Sequence, residues 1–477
     1  MSNFKLMETE ILVLPGSVSE KYQGYGYLYE KCSKFEYPIV KLNMKHMNLK
    51  KLIIVISLPL ISLFAVGQPG QSKGDAGTLR AGIAKIDITP SIPVKLYGYS
   101  SRKTYSEGIH DPLSARAVVF ENGGKKFVLV STDMGSYGSD VFTVFQKSIM
   151  EKFGLKESEL FLSTIHSHSS PILSLDAERG DPNNIEYTKT LQQKLLSLIG
   201  DAMKSLKPVQ TGAGTGSSPV GSNRREMRPD GSITLGRNPY GITDKEVLVL
   251  KVATADGTPV GALYDYATHS TSLGGRNMQI SGDVHGLSAQ FVEKILGKNV
   301  IAPVFAGASG NIDPWFRVLP EFNNEPGWIP EPVLLGTFLG EEVVHVFRSI
   351  NTLNPGGEIS TGFAILECLR KKMDESKVPT DKPLPATIPV NITVARIGED
   401  VAFVGFNVEM LTEIGMKIKA GSPFKYTFII THCNGSSGYL APPELYKEGG
   451  YEVNSTRFEI GSSDMVIKKA LRMLYDL

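Results

Sequence analysis

An α/β fold, with mixed β-sheets flanked by helices, is what this sequence predicts, and three observations predict it. Strand-like and helix-like runs alternate along most of the chain. One pair of β-rich runs is joined by Asn122-Gly123-Gly124, a hairpin signal, so the pairing is not all parallel. The composition, 41% apolar and 21% charged over 477 residues, is that of an ordinary globular protein with chain enough for one large domain or two smaller ones. The formal net charge of +1 supplies no broad basic surface, which argues against a nucleic-acid binder.

The N-terminal part is different in kind. Lys50 and Lys51 precede an apolar run from Leu52 to Val66, and small residues follow at Ala65 to Gly67. The run is shorter than the ~20 residues a bilayer-spanning helix needs. Charged flank, short apolar centre and small-residue exit describe a secretory signal over 47–67. Residues 1–46 are then an unstructured upstream extension, Met47 the true start, and the product is exported, periplasmic or secreted. If translation begins at Met1, residues 52–66 instead remain as a membrane anchor. The Gly/Ser-rich stretch 68–78 is a linker, and 79–477 is the folded domain. Of Cys32, Cys368 and Cys433, only the last two follow the signal; whether they pair is not legible in sequence. Neither belongs to a C-x-x-C, which argues against a cysteine-based zinc site.

The elements follow in order. "LRAGIAKIDIT" from Leu79 is a strand ended by Pro90. "ARAVVFENGGKKFVLVSTDMG" is the hairpin. Residues 139–154 have helical spacing, with Gly154 as C-cap. "LFLSTIHSH" is a strand, and 187–206 a second helix. The stretch 211–243, rich in Gly, Ser, Arg and Asn, shows little periodicity and is expected to be a long surface excursion. "KEVLVLKVAT" and "VGALYDYATHS" are a strand pair. "HGLSAQFVEKILG" and "LLGTFLGEEVVHVFRSI" are helices around the strand "VIAPVFAGAS". After a weak boundary at 351–357 come strands "VNITVARIG" and "DVAFVGFN", then a helix over "VEMLTEIGMKIKAG".

The chain has 8 histidines. His46 precedes the fold, His345 sits on an amphipathic helix, and His110, His285 and His432 are ambiguous. His166, His168 and His269 fall at the ends of apolar strands, in "LSTIHSHSSP" and "LYDYATHSTS". Residues i and i+2 of a strand share a face, so His166 and His168 are expected to point into one cleft at a strand end, where α/β proteins place ligands. Histidines hydrogen-bonded to loop carbonyls would show the same spacing. Neutral imidazole is the commonest metal ligand, and two histidines with a carboxylate and an open position make a catalytic zinc site.

These segments resemble the neutral/alkaline ceramidases, zinc-dependent amidases that cleave N-acyl-sphingosine. "IHSHSSP" is similar to that family's His-x-His-Ser-Gly-Pro and "YATHSTS" to its Ala-Val-His-Pro-Thr-Ser. "FNVEMLTEIG" corresponds to its Pro-Gly-Glu-Phe-Thr-Thr. Residues 433–452 keep its Cys-Asn, Gly-Tyr and Tyr-Glu at the same intervals, and "IAKIDIT" and "STDMG" also fit. The similarity runs from about Leu79 to Tyr451. It implies one Zn2+ per chain bound by His166, His269, Glu409 and Tyr439. It implies His168 as a catalytic neighbour of the metal, and Arg224 and Tyr451 as groups that hold the reacting carbonyl. Read alone, Glu409 would be a helix-start carboxylate, Tyr439 a core or turn aromatic and Arg224 a solvated loop charge.

The chain departs from the family in two places. The family serine lies in Gly-Asp-Val-Ser-Pro-Asn; here "SGNIDP" (309–314) puts Asp313 at the serine and Asn311 at the aspartate. The family also carries a C-terminal β-sandwich, so the expectation is a single large catalytic domain without it. Asp313 would then orient a water or take its proton, or else ligate the metal. The expected activity is exported, zinc-dependent hydrolysis of a lipid amide, N-acyl-sphingosine or a relative, with a surface that contacts membrane and no nucleic-acid partner. Hydrolysis of another small amide or ester, or a non-catalytic cell-surface binding protein, are the competing readings. The segment 314–336 holds both tryptophans, Trp315 and Trp328, and is either a pocket mouth or a cover over the core.

Overall fold

The computed structural model describes residues 77–297, 299–315, 331–372 and 384–477. The extension, the signal segment, most of the linker, Cys32, His46 and Trp328 lie outside the described residues. From the N-terminus the elements are β1 (Arg80–Asp87), β2 (Gly108–Ile109), β3 (Ser114–Asn122), β4 (Lys125–Thr132), α1 (Ser139–Phe153), β5 (Leu160–Thr164), α2 (Pro182–Lys204), β6 (Lys207–Ser217), β7 (Gly221–Met227), β8 (Ile233–Asn238), β9 (Glu246–Thr254) and β10 (Pro259–Tyr266). They continue as β11 (Gln279–Ile280), α3 (Asp283–Leu296), β12 (Val304–Ala306), β13 (Ile312–Pro314), α4 (Glu331–Ser349), β14 (Ile359–Leu369), β15 (Thr387–Ile397), β16 (Val401–Phe406) and β17 (Glu409–Met410). The last are α5 (Thr412–Gly421), β18 (Tyr426–Ile430), β19 (Tyr439–Leu440), α6 (Tyr451–Ser455) and α7 (Ser462–Tyr475).

Among the described residues, two sheets dominate. One has eight strands in the order β12-β10-β9-β6-β1-β3-β4-β5, the other four in the order β14-β15-β16-β18. Both are mixed, with β4–β5, β10–β12 and β16–β18 parallel and their other neighbours antiparallel. Their inner faces meet in one apolar layer, where Phe127 lies 6.2 Å from Phe161 and 5.7 Å from Phe403, and Phe403 stacks on Phe428 at 4.7 Å. α1 and α2 cover part of the outer face of the large sheet and α3 and α4 the rest. α5 and α7 cover the small sheet. Sheets buried on both faces need continuous apolar strands rather than alternating ones, and β4 and β5 show that pattern.

The hairpin forms as the sequence predicts, with Gly123 and Gly124 at φ 58° and 79° in the turn between β3 and β4. Gly154 caps α1 at φ 59°. The expected surface excursion over 211–243 is instead mostly sheet, and its glycines explain the error. Gly212, Gly214 and Gly216 alternate along β6 on the face that α4 presses. A Cβ on them would lie 2.8, 3.0 and 2.5 Å from side-chain atoms of Ile350, Ile350 and Val346 respectively. The period of two was present, but it was written in an absent side chain. Two further corrections bear on the site. β5 ends at Thr164 and β10 at Tyr266, so the three histidines lie beyond the strands, and α5 starts at Thr412, so Glu409 belongs to β17 rather than to a helix start.

Cys368 and Cys433 are free, buried thiols in different parts of the core, one under α7 and one between the sheets. Between the sheets, Asp265 of β10 accepts from the Ile429 amide at 3.0 Å, which ties β10 to β18. Burial pushes its carboxyl up to about 7, against the pull of Lys419. A carboxyl that holds its proton to higher pH folded than unfolded loses stability as pH rises from about 4 to about 7, with no further change above. Asp265→Asn should therefore flatten the fall in stability over that interval and stabilise the chain at pH 8. Urea denaturation of both proteins at pH 5 and pH 8 measures it, and an unchanged pH dependence would refute the assignment.

Candidate active site

The parallel strand pairs all end on the same side, and the loops that leave them converge there. The loop after β5 brings His166 and His168, that after β10 His269, that after β12 Ser309 to Asp313, and that after β18 His432. β17 follows β16 directly and pairs with β19, which places Glu409 beside Tyr439 in register. Ligands gather at the carboxyl ends of parallel strands because the chain can leave the sheet there without burying unpaired backbone.

His166 and His269 meet one carboxylate oxygen. Glu409 Oε1 is 3.3 Å from His166 Nε2 and 3.0 Å from His269 Nε2. The other ring nitrogen of each faces backbone carbonyls: His166 Nδ1 lies 2.9 Å from the Gly135 oxygen, and His269 Nδ1 lies 2.8 and 2.9 Å from the Ser309 and Ile312 oxygens. A carbonyl only accepts, so the proton of each ring belongs on Nδ1 and the lone pair on Nε2. Burial pushes the His269 imidazole down to about 4, and Arg224 pushes it the same way. Two lone pairs thus face a carboxylate oxygen inside the protein, an arrangement that repels itself unless a cation lies between. A carbonyl-fixed Nδ1–H is also how metal-binding histidines are oriented. These residues fit a zinc ion.

His168 differs. Its Nε2 is 3.2 Å from His166 Nε2, within the group of three histidine nitrogens that lie within 4.8 Å of one another. Its Nδ1 has no hydrogen-bond partner, so nothing fixes its tautomer in the way the carbonyls fix the other two. Its ring is held by packing instead. Tyr97 and Tyr99 meet it edge-on at 5.5 and 5.2 Å, and Gly98, at φ 100°, leaves its face open: a Cβ there would lie 2.3 Å from His168 Cγ. His166 and His168 do share the cleft as the sequence predicts, but by another route. His166 is in the left-handed region at φ 58°, so a tight turn, not strand alternation, brings them together.

Arg224 is buried, and its whole fork is engaged. Nε donates to Glu452 Oε1 at 2.7 Å, Nη1 to Asp313 Oδ1 at 3.1 Å, and Nη2 to the Gly310 carbonyl at 2.7 Å and to the Tyr439 hydroxyl at 3.0 Å. Nη1 also lies 3.3 Å from His269 Nε2. Four of the five N–H groups meet protein oxygens, and the fifth faces His269 Nε2, the lone pair that a metal would take. Arg224 thus also positions Asp313 and Tyr439. Asp313 is buried on β13, opposite Ser222 of β7. Tyr451, at the start of α6, is 47% exposed and meets Tyr439 edge-on at 5.7 Å, with its ring beside the same guanidinium. Asn311 does not face the histidines; it donates to Glu413 at 3.0 Å and accepts from the Thr412 amide, fastening the 309–314 loop to α5.

Sequence reasoning left two site neighbours unassigned. Glu452, fully buried, bridges Arg224 and Arg225. His432 stacks flat on His166. The second had a visible signal: "YTFIITHCN" repeats the apolar strand followed by histidine that drew notice in "LFLSTIHSH".

Residues 79–311 match the family model described as neutral/alkaline non-lysosomal ceramidase, N-terminal. Residues 79–311 are thus those of that family's N-terminal domain. The chain is 30% identical over 269 residues to neutral ceramidase B of Dictyostelium discoideum, a match covering 52% of this chain and 38% of that one. It is 27% identical over 288 residues to neutral ceramidase of Pseudomonas aeruginosa, covering 55% and 41%, and 28% identical over 222 residues to neutral ceramidase of Oryza sativa subsp. japonica, covering 44% and 28%. The matched stretch thus spans less than half the length of each relative. The crystal structure of the Pseudomonas aeruginosa neutral ceramidase superposes with a TM-score of 0.68 at 20% identity, covering 84% of this chain and 75% of that chain, and shares the fold.

A side chain on Gly98 would push the His168 ring out of place without touching the carbonyls that fix His166 and His269. Gly98→Ala should lower turnover at least tenfold and leave bound zinc unchanged. Zinc content by elemental analysis checks it: metal lost in proportion to activity would make His168 a ligand.

Proposed function

We propose that this chain is an exported, zinc-dependent hydrolase of the C–N bond of a lipid amide, N-acyl-sphingosine or a close relative. The observation that carries the reading is the pair of carbonyl-fixed imidazoles facing the Glu409 carboxylate. His166, His269 and Glu409 would hold the zinc, with Tyr439 as a fourth ligand; its hydroxyl already accepts from Arg224, which leaves a lone pair for a cation. A bound Zn2+ supplies a Lewis acid that polarises the amide carbonyl and lowers the pKa of a coordinated water to about 7.

The remaining work falls to side chains. Asp313 is the proton acceptor for the attacking water. The Arg224 contact at 3.1 Å aims it. No serine is required in its place. His168 stands beside His166, its Nε2 3.2 Å from His166 Nε2, the position of a group that passes a proton to the leaving amine. As the water oxygen bonds to the carbonyl carbon and the C–N bond breaks, the proton taken from water ends on the amine, and the products are a fatty acid and an amine. Tyr451, half-exposed at the rim, donates a hydrogen bond from its hydroxyl to the oxygen on which charge develops.

The lipid part has space available. A cavity of about 570 Å3 is lined by Val220, Ser222, Thr243, Trp315, Leu335 and Phe338 among others. That volume is in the range of small-molecule sites. Ser222 lies directly across from Asp313 in the β7–β13 pair, so the cavity adjoins the strand that carries the proton acceptor. Trp315 is thus a pocket residue. Export is part of the same proposal, and among the described residues no helix is long and apolar enough to cross a membrane.

Turnover of a labelled ceramide, set against short N-acyl and ester substrates, tests the reading. Ceramide should be the preferred substrate; the absence of hydrolysis by the zinc-loaded chain would leave only a binding role. His166→Ala should abolish activity and most bound metal together. Asp313→Asn should cut kcat by about 100-fold or more with zinc retained. Loss of zinc in that variant would instead make Asp313 a ligand.

A further inference from the structure

His432 is a buried imidazole that the reaction does not use. Its ring lies flat on that of His166, with centroids 3.9 Å apart and planes 10° from parallel. Its Nε2 has no hydrogen-bond partner among the described residues. Its backbone is in the left-handed region at φ 50°, as is that of His166 at φ 58°. For a residue with a β-carbon that conformation is strained, and it persists only where the surroundings impose it.

The surroundings are specific. The chain from Thr431 to Asn434 is fastened along β5, the edge strand of the large sheet. The Thr164 amide donates to the His432 carbonyl at 3.2 Å, and Cys433 bridges Ser163. The Asn434 amide donates to the Leu162 carbonyl at 2.9 Å, and its side chain accepts from the Leu162 amide at 2.9 Å and donates to the Leu160 carbonyl at 2.7 Å. On its other side the His432 amide reaches the Val408 carbonyl at 3.4 Å, next to Glu409. The residue therefore stands where the segments carrying His166 and Glu409 meet, and all of those ties are made by backbone or by Asn434. The imidazole itself contributes one thing: a flat face against His166.

We infer that His432 is a positioning residue whose ring, stacked on His166, fixes the plane in which the His166 Nε2 is presented to the metal. The Gly135 carbonyl fixes the direction of the His166 Nδ1–H, but one hydrogen bond leaves rotation about its own axis free. A planar partner at 3.9 Å removes that rotation, and a neutral ring does so without placing a charge beside a cation. A branched aliphatic side chain has no flat face to offer. This inference rests on the zinc reading above and adds a residue to it that contacts neither metal nor substrate.

The test compares His432→Phe, which keeps a flat face and discards both nitrogens, with His432→Leu, which discards the face. Zinc dissociation is read by competition with a chromophoric chelator, and ligand geometry by the visible spectrum of the cobalt-substituted proteins. The Phe variant should hold zinc within about threefold of the parent and keep its cobalt spectrum. The Leu variant should hold zinc about 10- to 100-fold more weakly, the range seen when a supporting partner of a ligand is lost, with an altered spectrum. Melting of the zinc-free proteins shows whether the fold survives, and if the Leu chain does not fold, the Phe variant decides alone. A Phe variant that loses zinc overturns the inference, because a nitrogen would then matter. A Leu variant that binds as tightly as the parent overturns it too. A parent chain that binds no zinc overturns the zinc reading and this inference together, whereas failure of either variant result leaves the zinc reading intact.

Discussion

A carboxylate oxygen shared by two imidazole lone pairs is the constraint on which the rest of this structure depends. Glu409 Oε1 stands 3.0 and 3.3 Å from nitrogens that their own backbone partners have made acceptors. Buried acceptors facing one another destabilise a fold unless something positive joins them. The protein accepts that cost at one point and surrounds it with rigid structure: left-handed turns at His166 and His432, and a buried guanidinium held by Glu452, Asp313, Gly310 and Tyr439. Strain and buried charge concentrated at one locus, in a chain otherwise built of well-satisfied sheet, are what a functional centre looks like in energetic terms.

The two-sheet architecture explains how such a centre is assembled from distant sequence. His166 leaves the edge of the large sheet, His269 leaves β10 near its opposite edge, and Glu409 leaves the small sheet. No single sheet brings these together. What does so is the face-to-face packing of the sheets through Phe127, Phe161, Phe403 and Phe428, together with the lacing of residues 431–434 onto β5. The apolar layer sets the distance between the sheets and the lacing sets their alignment, so a few ångströms among His166, His269 and Glu409 are governed by contacts well removed from them.

Much of this was legible in the sequence, and the illegible part has a physical pattern. The strands of the core could be read because burial on both faces leaves continuous apolar runs, and α1 because its apolar spacing and Gly154 both point to it. His166, His168 and His269 could be picked out because each follows such a run. The β6 strand could not, because the helix against it demanded glycine where a side chain would ordinarily mark the face. The turn at His166 could not either: nothing local says that an L-residue will occupy φ 58°, since long-range packing imposes it. The partners of Arg224 come from segments far apart in the chain, and no local pattern encodes that meeting.

The surroundings of Arg224 suit the aspartate that stands where the family has a serine. An arginine with spare N–H groups would stabilise charge on a substrate directly. Here the same fork reaches Asp313, Tyr439 and Glu452 at once, so its charge acts through the groups it holds. A carboxylate at position 313 is a better partner for that cation than a hydroxyl would be. Asp313 and Arg224 therefore read as one unit: the departure from the family pattern at 313 is matched by a neighbour that pairs with it, and the buried guanidinium is answered by two carboxylates, Asp313 on one side and Glu452 on the other.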